Sequence, residues 1–137
     1  MTDQPRHEHG LLDTSVVIDL AEMSQADIPH APSISALTLA ELSAGPLTAD
    51  HPTERAIRQE VLQRTESTLH PIPFDVESAR AYGQISAAVT AIGRKPRGAR
   101  TVDLLIAATA MANGLPLYTR NPGDFAGLEG LVEIIGV

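Results

Sequence analysis

The chain has 137 residues, of which 43% are hydrophobic and 20% are charged, and this composition fits one soluble globular domain. Its formal net charge of −7 excludes recruitment to nucleic acid or anionic lipid by overall charge, although a local basic patch can still bind phosphates. The sequence contains no cysteine. Disulfides, thiolate zinc sites and cysteine nucleophiles are therefore excluded, and any metal must be bound by oxygen or imidazole ligands.

The first nine residues are polar and show no hydrophobic periodicity. We interpret residues 1–9 as a flexible N-terminal tail and residues 10–137 as a single domain. No apolar run approaches the length of a membrane span, and the tail lacks the apolar segment of a secretory signal. We therefore expect a cytoplasmic protein that is not associated with a membrane.

Short apolar strands and amphipathic helices are predicted to alternate along the chain. The predicted strands lie at 11–13, 33–37, 69–74, 115–119 and 131–135. The predicted helices lie at 16–20, 38–44, 52–67, 76–92 and 102–112. The strand at 69–74 contains two prolines, which favours an edge position. This alternation predicts an α/β fold with a parallel central sheet and helices on both faces.

Capping and breaking residues mark the predicted ends of the helices. Thr14 or Ser15 is expected to cap the first helix, and Thr101 the last one. Asp75 is expected to cap the helix at 76–92, which Gly93 ends. The remaining predicted stops are Gly45-Pro46 for the second helix and Asn113-Gly114 for the last one.

Four acidic residues occupy positions where a carboxylate needs a partner, because each lies at a strand end, in a first helical turn or turn segment, or within an apolar helix. They are Asp13, Glu41, Asp103 and Asp124. In a parallel α/β sheet, ligands collect at the carboxyl ends of the strands, so Asp13 and the segment after Thr119 are expected to face one crevice. Each of two acids also has a purely structural interpretation. Asp13 is in the position of a helix cap, and Asp103 is in a first turn, where its charge would complement the helix dipole.

Carboxylates that converge repel one another, and a divalent cation cancels that repulsion. Hard oxygen ligands favour Mg²⁺, or Mn²⁺, over zinc. Such a cation lowers the pKa of a water molecule and neutralises charge that develops on phosphate oxygens. The acidic residues therefore predict a site suited to phosphodiester hydrolysis.

Four sequence motifs, taken together and in order, resemble a known family. They are LLDTSVVIDL around the first acid, ISALTLAELSAG around the second, VDLLIAATAMANGLPLYTRN around the third, and TRNPGDF around the last. This set is similar to the PIN-domain ribonucleases, and among them to the VapC toxins of type II toxin–antitoxin (VapBC) systems. The resemblance runs from Leu11 to Val137.

The resemblance implies a fold and a set of site residues. The implied fold is a three-layer α/β/α sandwich with a central, mainly parallel sheet. Asp13, Glu41 and Asp103 match the acids that bind the metal and catalyse the reaction in this family. For the fourth acid, many members have an aspartate where this chain has Asn121, and Asp124 is the alternative. The auxiliary residues are Thr14, Ser15, Thr119 and Asn121.

The resemblance also implies an activity and partners. The expected activity is that of a Mg²⁺-dependent endoribonuclease toxin, with Mn²⁺ as a possible substitute, acting on tRNA or rRNA. A homodimer and a neutralising VapB-type antitoxin are implied as well, with 37–47 and 57–62 as docking surfaces. One alternative is a PIN module that binds RNA or antitoxin without cleavage. Another is an aspartyl-phosphate phosphotransferase with Asp13 as nucleophile, although a second aspartate two positions later is missing.

A cluster of basic residues precedes Asp103 in the sequence. Its members are expected to bind RNA phosphates, and a further basic residue lies beside Asn121; together they are Arg94, Lys95, Arg97, Arg100 and Arg120. Gly93, Pro96 and Gly98 predict a loop here, so a solvated loop without ligand is the alternative interpretation.

Overall fold

Five parallel strands form the central sheet of the computed structural model, which describes residues 6–137. The strands are β1 (His9–Leu12), β2 (Ala31–Ser35), β3 (His70–Ile72), β4 (Leu117–Thr119) and β5 (Ile134–Gly136). Their spatial order is β3-β2-β1-β4-β5, and every neighbouring pair is parallel. The predicted parallel sheet is thus confirmed, with the proline-containing strand β3 at one edge.

Helices cover both faces of this sheet. They are α1 (Thr14–Asp19), α2 (Ala36–Thr48), α3 (Pro52–Thr68), α4 (Val76–Ala91) and α5 (Arg100–Ala112). Side chains of α4 and α5 pack on one face, and side chains of α1, α2 and α3 on the other, which gives the predicted three-layer α/β/α sandwich. Within residues 6–137, no helix is both long enough and apolar enough to cross a membrane.

The central strand β1 supplies both layers with core side chains. Leu11 belongs to the cluster formed with α4 and α5, whereas Leu12 belongs to the cluster formed with α1. Both leucines are fully buried. Successive side chains of a strand point to opposite faces, so two adjacent leucines anchor the two helical layers at about 1.5–3 kcal/mol each.

Helix α2 continues past its predicted end at Gly45-Pro46, and that prediction was wrong. The helix extends to Thr48 because Leu42, Pro46 and Ala49 form one buried stripe. Pro46 cannot donate a backbone hydrogen bond to the preceding turn. Arg58 of α3 donates to the carbonyl of Gly45 at 3.0 Å, so a side chain of α3 holds this part of α2 in place.

The starts of two helices also differ from prediction. Asp13, rather than Thr14 or Ser15, caps α1, because its Oδ1 accepts from the backbone N–H of Thr14 at 2.9 Å. Helix α5 begins at Arg100, so Thr101 lies inside its first turn instead of capping it.

Other predicted helix ends are confirmed, and two strands are shifted in the chain. Asp75 accepts from the backbone N–H of Ser78 and caps α4, while Gly93 and Gly114 adopt positive φ after α4 and α5.

Strand β2 ends at Ser35, two residues before its predicted end, because the Ser35 hydroxyl caps α2. Strand β5 starts at Ile134, three residues late, because a turn precedes it.

The segment before β1 departs from the predicted tail at 1–9. Residues 1–5 lie outside the described residues, but His9 is part of β1. The carbonyls of His7 and Glu8 accept hydrogen bonds from the backbone N–H groups of His30 and Ala31. Residues 7–9 are therefore joined by backbone hydrogen bonds to the start of β2 and to the residue before it. The polar side chains of this segment gave no indication of this pairing in the sequence.

Candidate active site

The order of the strands creates a crevice between β1 and β4. The chain leaves β1 toward β2 on one side, while β4 pairs with β1 on the other side. Such a switch point is where open α/β sheets bind their ligands, at the carboxyl ends of the strands. Asp13 directly follows β1, and Thr119 is the last residue of β4.

Asp13 is the central buried acid of this crevice, with 5% of its surface exposed. Its Oδ1 accepts from the backbone N–H of Thr14, and its Oδ2 accepts from Ser15 Oγ at 2.9 Å and Thr119 Oγ1 at 2.8 Å. These three donors offset the cost of burying the carboxylate and hold it in one orientation.

The two hydroxyls that contact Asp13 are themselves oriented by the chain after β4. Ser15 Oγ accepts from the backbone N–H of Arg120 at 3.1 Å, and Thr119 Oγ1 accepts from that of Asn121 at 3.0 Å. Because each hydroxyl has one proton, accepting from the backbone leaves that proton for Asp13.

Glu41 lies on α2 and reaches the crevice through Thr14. Its Oε1 is 2.6 Å from Thr14 Oγ1, which is also 3.0 Å from Thr38 Oγ1. Glu41 is exposed, whereas Thr38 is fully buried. Thr14 therefore connects two acids, since its backbone N–H donates to Asp13 and its side chain contacts Glu41.

Asp103 lies in the first turn of α5 and is half-buried. Burial, and after it the charges of Asp13, Asp124 and Glu41 in that order, together raise the pKa of Asp103 to about 6, against a lowering effect of Arg100. This electrostatic effect requires that the three other acids lie near Asp103. All four predicted acids therefore lie in the same region of the molecule.

The segment after β4 carries both candidates for the fourth acidic position. Asp124 is exposed and lies in a short 3-10 helix (Pro122–Phe125), with its backbone N–H bonded to the carbonyl of Asn121. Asn121 is exposed too and supports the site through its backbone N–H. Asp124 supplies negative charge at Asp103, which Asn121 cannot do.

The predicted basic residues have different surroundings. Lys95 and Arg97 are exposed in the loop between α4 and α5, and Arg100 is half-buried near Asp103. Arg94 donates from Nη1 to the carbonyl of Gly123 at 2.9 Å, so it connects this loop to the segment that carries Asp124. Separately, Arg120 Nε lies 3.9 Å from Asp19 Oδ2.

The four carboxylates supply the oxygen donors that Mg²⁺ prefers. Among residues 6–137, no three histidine, aspartate or glutamate side chains are close enough to hold an ion by themselves. Mg²⁺ usually keeps several waters and contacts only one or two carboxylates directly, so its binding does not require such a cluster. The donor set therefore fits a hydrated hard cation.

The sequence interpretation missed Thr38. Thr38 lies among apolar residues of α2, so its hydroxyl gave no obvious sign of a function in the sequence. Its spacing of three from Glu41, however, places both side chains on one face of the helix. That spacing was the available signal.

The family model of the PIN domain matches residues 10–130. The chain belongs to the PIN-domain family. Among curated relatives, this PIN domain is 37% identical to Ribonuclease VapC5 of Mycobacterium tuberculosis, over 93% of this chain and 95% of the relative. It is 29% identical to Ribonuclease VapC1 of Rickettsia felis, with the same coverage.

Solved structures agree with this assignment. A VapBC-5 structure from the toxin–antitoxin family of Mycobacterium tuberculosis matches the PIN domain with a TM-score of 0.80 and 36% identity, over 95% of this chain and 99% of the other. VapBC2 of Rickettsia felis, bound to a promoter DNA fragment, matches with a TM-score of 0.73 over 94% and 98% of the two chains. Its identity of 21% supports the fold alone. The predicted resemblance to VapC-type PIN domains is confirmed.

Proposed function

We propose that this PIN domain is the ribonuclease toxin of a toxin–antitoxin pair, an endonuclease that hydrolyses phosphodiester bonds of tRNA or rRNA in the cytoplasm. The observation that carries the proposal is the buried Asp13 carboxylate at the switch point between β1 and β4, in the same region as three further acids whose charges act on one another. Four acids around one crevice suit metal-dependent phosphoryl transfer. The names of the relatives, ribonucleases VapC5 and VapC1, support the same activity.

The proposed cofactor is Mg²⁺, with Mn²⁺ as a substitute. Asp13 and Asp103 are the proposed direct ligands, and Glu41 and Asp124 complete the negative site around them. When bound, the cation supplies positive charge to the phosphate oxygens and lowers the pKa of a water molecule.

The side chains of the crevice orient the reacting groups. Ser15 and Thr119 hold the Asp13 carboxylate in place, and Thr14 holds Glu41 toward the crevice. In the proposed reaction, Glu41 and Asp124 orient the water that attacks the phosphorus atom. Asp13 has hydrogen bonds on both carboxylate oxygens, which disfavours its use as a phosphate-accepting nucleophile.

The RNA backbone is proposed to bind beside the acids on the basic residues. Lys95 and Arg97 are exposed and free to contact phosphates by charge. Arg100 lies close enough to Asp103 to lower its pKa, so it can contact a phosphate next to the cleaved bond. Arg120 is a further candidate on the other side of the crevice.

A VapB-type antitoxin is the proposed inhibitory partner, and the toxin is proposed to be a homodimer. A groove of about 380 Å³ opens next to Thr14 and Glu41, with Ile18, Leu42 and Ile57 among its lining residues. Ile18 and Ile57 are each 53% exposed, which is unusual for large apolar side chains. An amphipathic antitoxin segment would cover them, and a basic side chain on it would neutralise the acids.

Controlled expression in bacteria tests the proposal against a module that binds RNA without cleavage. Cells carry the original chain, Asp13→Asn, Asp103→Asn or the control Glu66→Gln, which removes one exposed charge from α3. We expect growth arrest and new RNA 5′ ends with the original chain and the control, and neither with the two site variants. Growth arrest that persists in both variants, without new RNA ends, would instead establish binding alone.

A further inference from the structure

Thr38 makes an unusual contact for a threonine in a helix. Helical threonines commonly donate to the carbonyl four residues earlier, as Thr65 and Thr90 do here. Thr38 is fully buried, and its hydroxyl instead lies 3.0 Å from Thr14 Oγ1, across the contact between α2 and α1.

The positions of the protons follow from the partners. Thr14 Oγ1 is 2.6 Å from Glu41 Oε1, and an ionised carboxylate can only accept. Thr14 Oγ1 is oriented to donate toward both Glu41 Oε1 and Thr38 Oγ1, but it has a single proton. The carboxylate takes that proton because it can only accept, and the contact between the two hydroxyls is then made with the proton of Thr38. The three side chains form a directed series in which Thr38 donates to Thr14 and Thr14 donates to Glu41.

We propose that Thr38 is a positioning residue for Glu41, an inference that rests on the proposed nuclease function. Glu41 is exposed, so its long side chain would otherwise populate several rotamers. The buried Thr38 hydroxyl fixes the direction of the Thr14 hydroxyl, which in turn selects the Glu41 rotamer directed at the crevice. Thr14 also donates to Asp13 from its backbone, so Thr38 sets the relative position of two acids.

Two substitutions separate the hydroxyl from the shape of the side chain. Thr38→Val keeps the volume and removes the donor, whereas Thr38→Ser keeps the donor. Thr65→Val is the matched control, because it removes another buried helical hydroxyl far along the chain from the acids. The purified chains are compared by Mn²⁺ titration calorimetry, by kcat and KM on RNA, and by side-chain NMR of Glu41.

For Thr38→Val we expect Mn²⁺ affinity and kcat to fall by about tenfold or more, as for other residues that orient metal ligands, with KM unchanged. The Mn²⁺ affinity and the kcat of Thr38→Ser and Thr65→Val are expected to stay within about threefold of the values for the original chain. The Glu41 side-chain signals should shift in Thr38→Val and stay in place in Thr65→Val.

The inference is overturned if Thr38→Val binds Mn²⁺ and cleaves RNA like the original chain with unshifted Glu41 signals, or if Thr38→Ser is as defective as Thr38→Val. If the original chain cleaves no RNA, the proposed function fails. The Glu41 signals and the Mn²⁺ titrations of Thr38→Val and Thr38→Ser then still decide the role of Thr38.

Discussion

Thr119 Oγ1 donates a hydrogen bond of 2.8 Å to Asp13 Oδ2, and it joins two residues that lie 106 positions apart in the chain. Both residues are at the carboxyl ends of neighbouring parallel strands, where Leu12 of β1 is in register with Tyr118 of β4. The register of the sheet thus positions the central acid. The β4 hydroxyl of Thr119 is therefore part of what orients the Asp13 carboxylate.

The first prediction concerns this hydroxyl. Thr119→Val removes a donor from Asp13 and leaves the Asn121 backbone N–H without its acceptor. We expect cleavage to fall by about 10–100-fold and stability by about 1–3 kcal/mol. Thr119→Ser, which keeps both hydrogen bonds, should recover most activity. Initial cleavage rates and urea unfolding of the three chains measure both effects, and equal rates for the Val and Ser variants would refute the role of the hydroxyl.

The alternation of strands and helices predicts that Asp13, which follows an apolar strand, lies at the carboxyl edge of a parallel sheet. The assignment of Asp103 and Glu41 to the same site came from the resemblance to PIN domains. In the structure, the charges of Asp13, Glu41 and Asp124 all act on Asp103, so the four acids share one region of the molecule. Their assignment as metal ligands stays a prediction until binding is measured.

A second prediction concerns pH and the free energy of unfolding. The pKa of Asp103 in the folded chain is about 6, above the ordinary aspartate value of 3.8. The folded chain therefore binds this proton more tightly than the unfolded chain, and stability is lost as pH rises from about 4 to 6. Above pH 6, Asp103 is ionised in the folded chain and lowers the free energy of unfolding. Asp103→Asn has no ionisable group at this position, so the variant does not lose this stability. The shift corresponds to about 3 kcal/mol, and solvent screening of the half-exposed carboxylate reduces this value. In EDTA, the variant should therefore be more stable by on the order of 1–2 kcal/mol at pH 7.5 and nearly equal at pH 4.

Urea unfolding at the two pH values checks this prediction. Glu66→Gln removes one exposed negative charge from α3 and serves as the control for net charge. The prediction fails if Asp103→Asn is less stable than the original chain at pH 7.5, or if the control shows the same gain.

A third prediction identifies the fourth acidic position. Asp124 raises the pKa of Asp103, whereas Asn121 supports the site through its backbone. Asp124→Asn should therefore weaken Mn²⁺ binding and reduce cleavage by about tenfold, and Asn121→Ala should change both by less than about threefold. Calorimetric titration with Mn²⁺ measures the first quantity. The reverse order of effects would assign the position to Asn121.

A fourth prediction separates RNA-contacting from supporting basic residues. Removing a phosphate contact reduces the slope of log affinity against log salt by about 0.7–0.9. Lys95→Met should show this reduction, because Lys95 is exposed. Arg94→Met should keep the slope and lower the cleavage rate, because the Arg94 side chain holds the carbonyl of Gly123. RNA binding is measured in Asp103→Asn chains to prevent cleavage, and a reduced slope for Arg94→Met would make it a phosphate contact.

Tertiary contacts account for what the sequence did not predict. Gly45-Pro46 is a strong local stop, but the buried stripe of α2 and the hydrogen bond from Arg58 on α3 override it. The polarity of residues 6–8 conceals their backbone pairing beside β2. Thr38 contacts Thr14 only when α2 packs on α1, so its spacing from Glu41 indicates a shared face of α2 but not this partner.

Cleavage by the purified chain tests the central claim most directly. A mixture of tRNA and rRNA is incubated with the original chain or Asp103→Asn, in Mg²⁺, in Mn²⁺ or in EDTA. We expect discrete fragments from the original chain with either metal ion, and none in EDTA or with the variant. Failure of the folded chain to cleave with both metal ions, or the same fragments from Asp103→Asn, would contradict a metal-dependent ribonuclease built on these four acids.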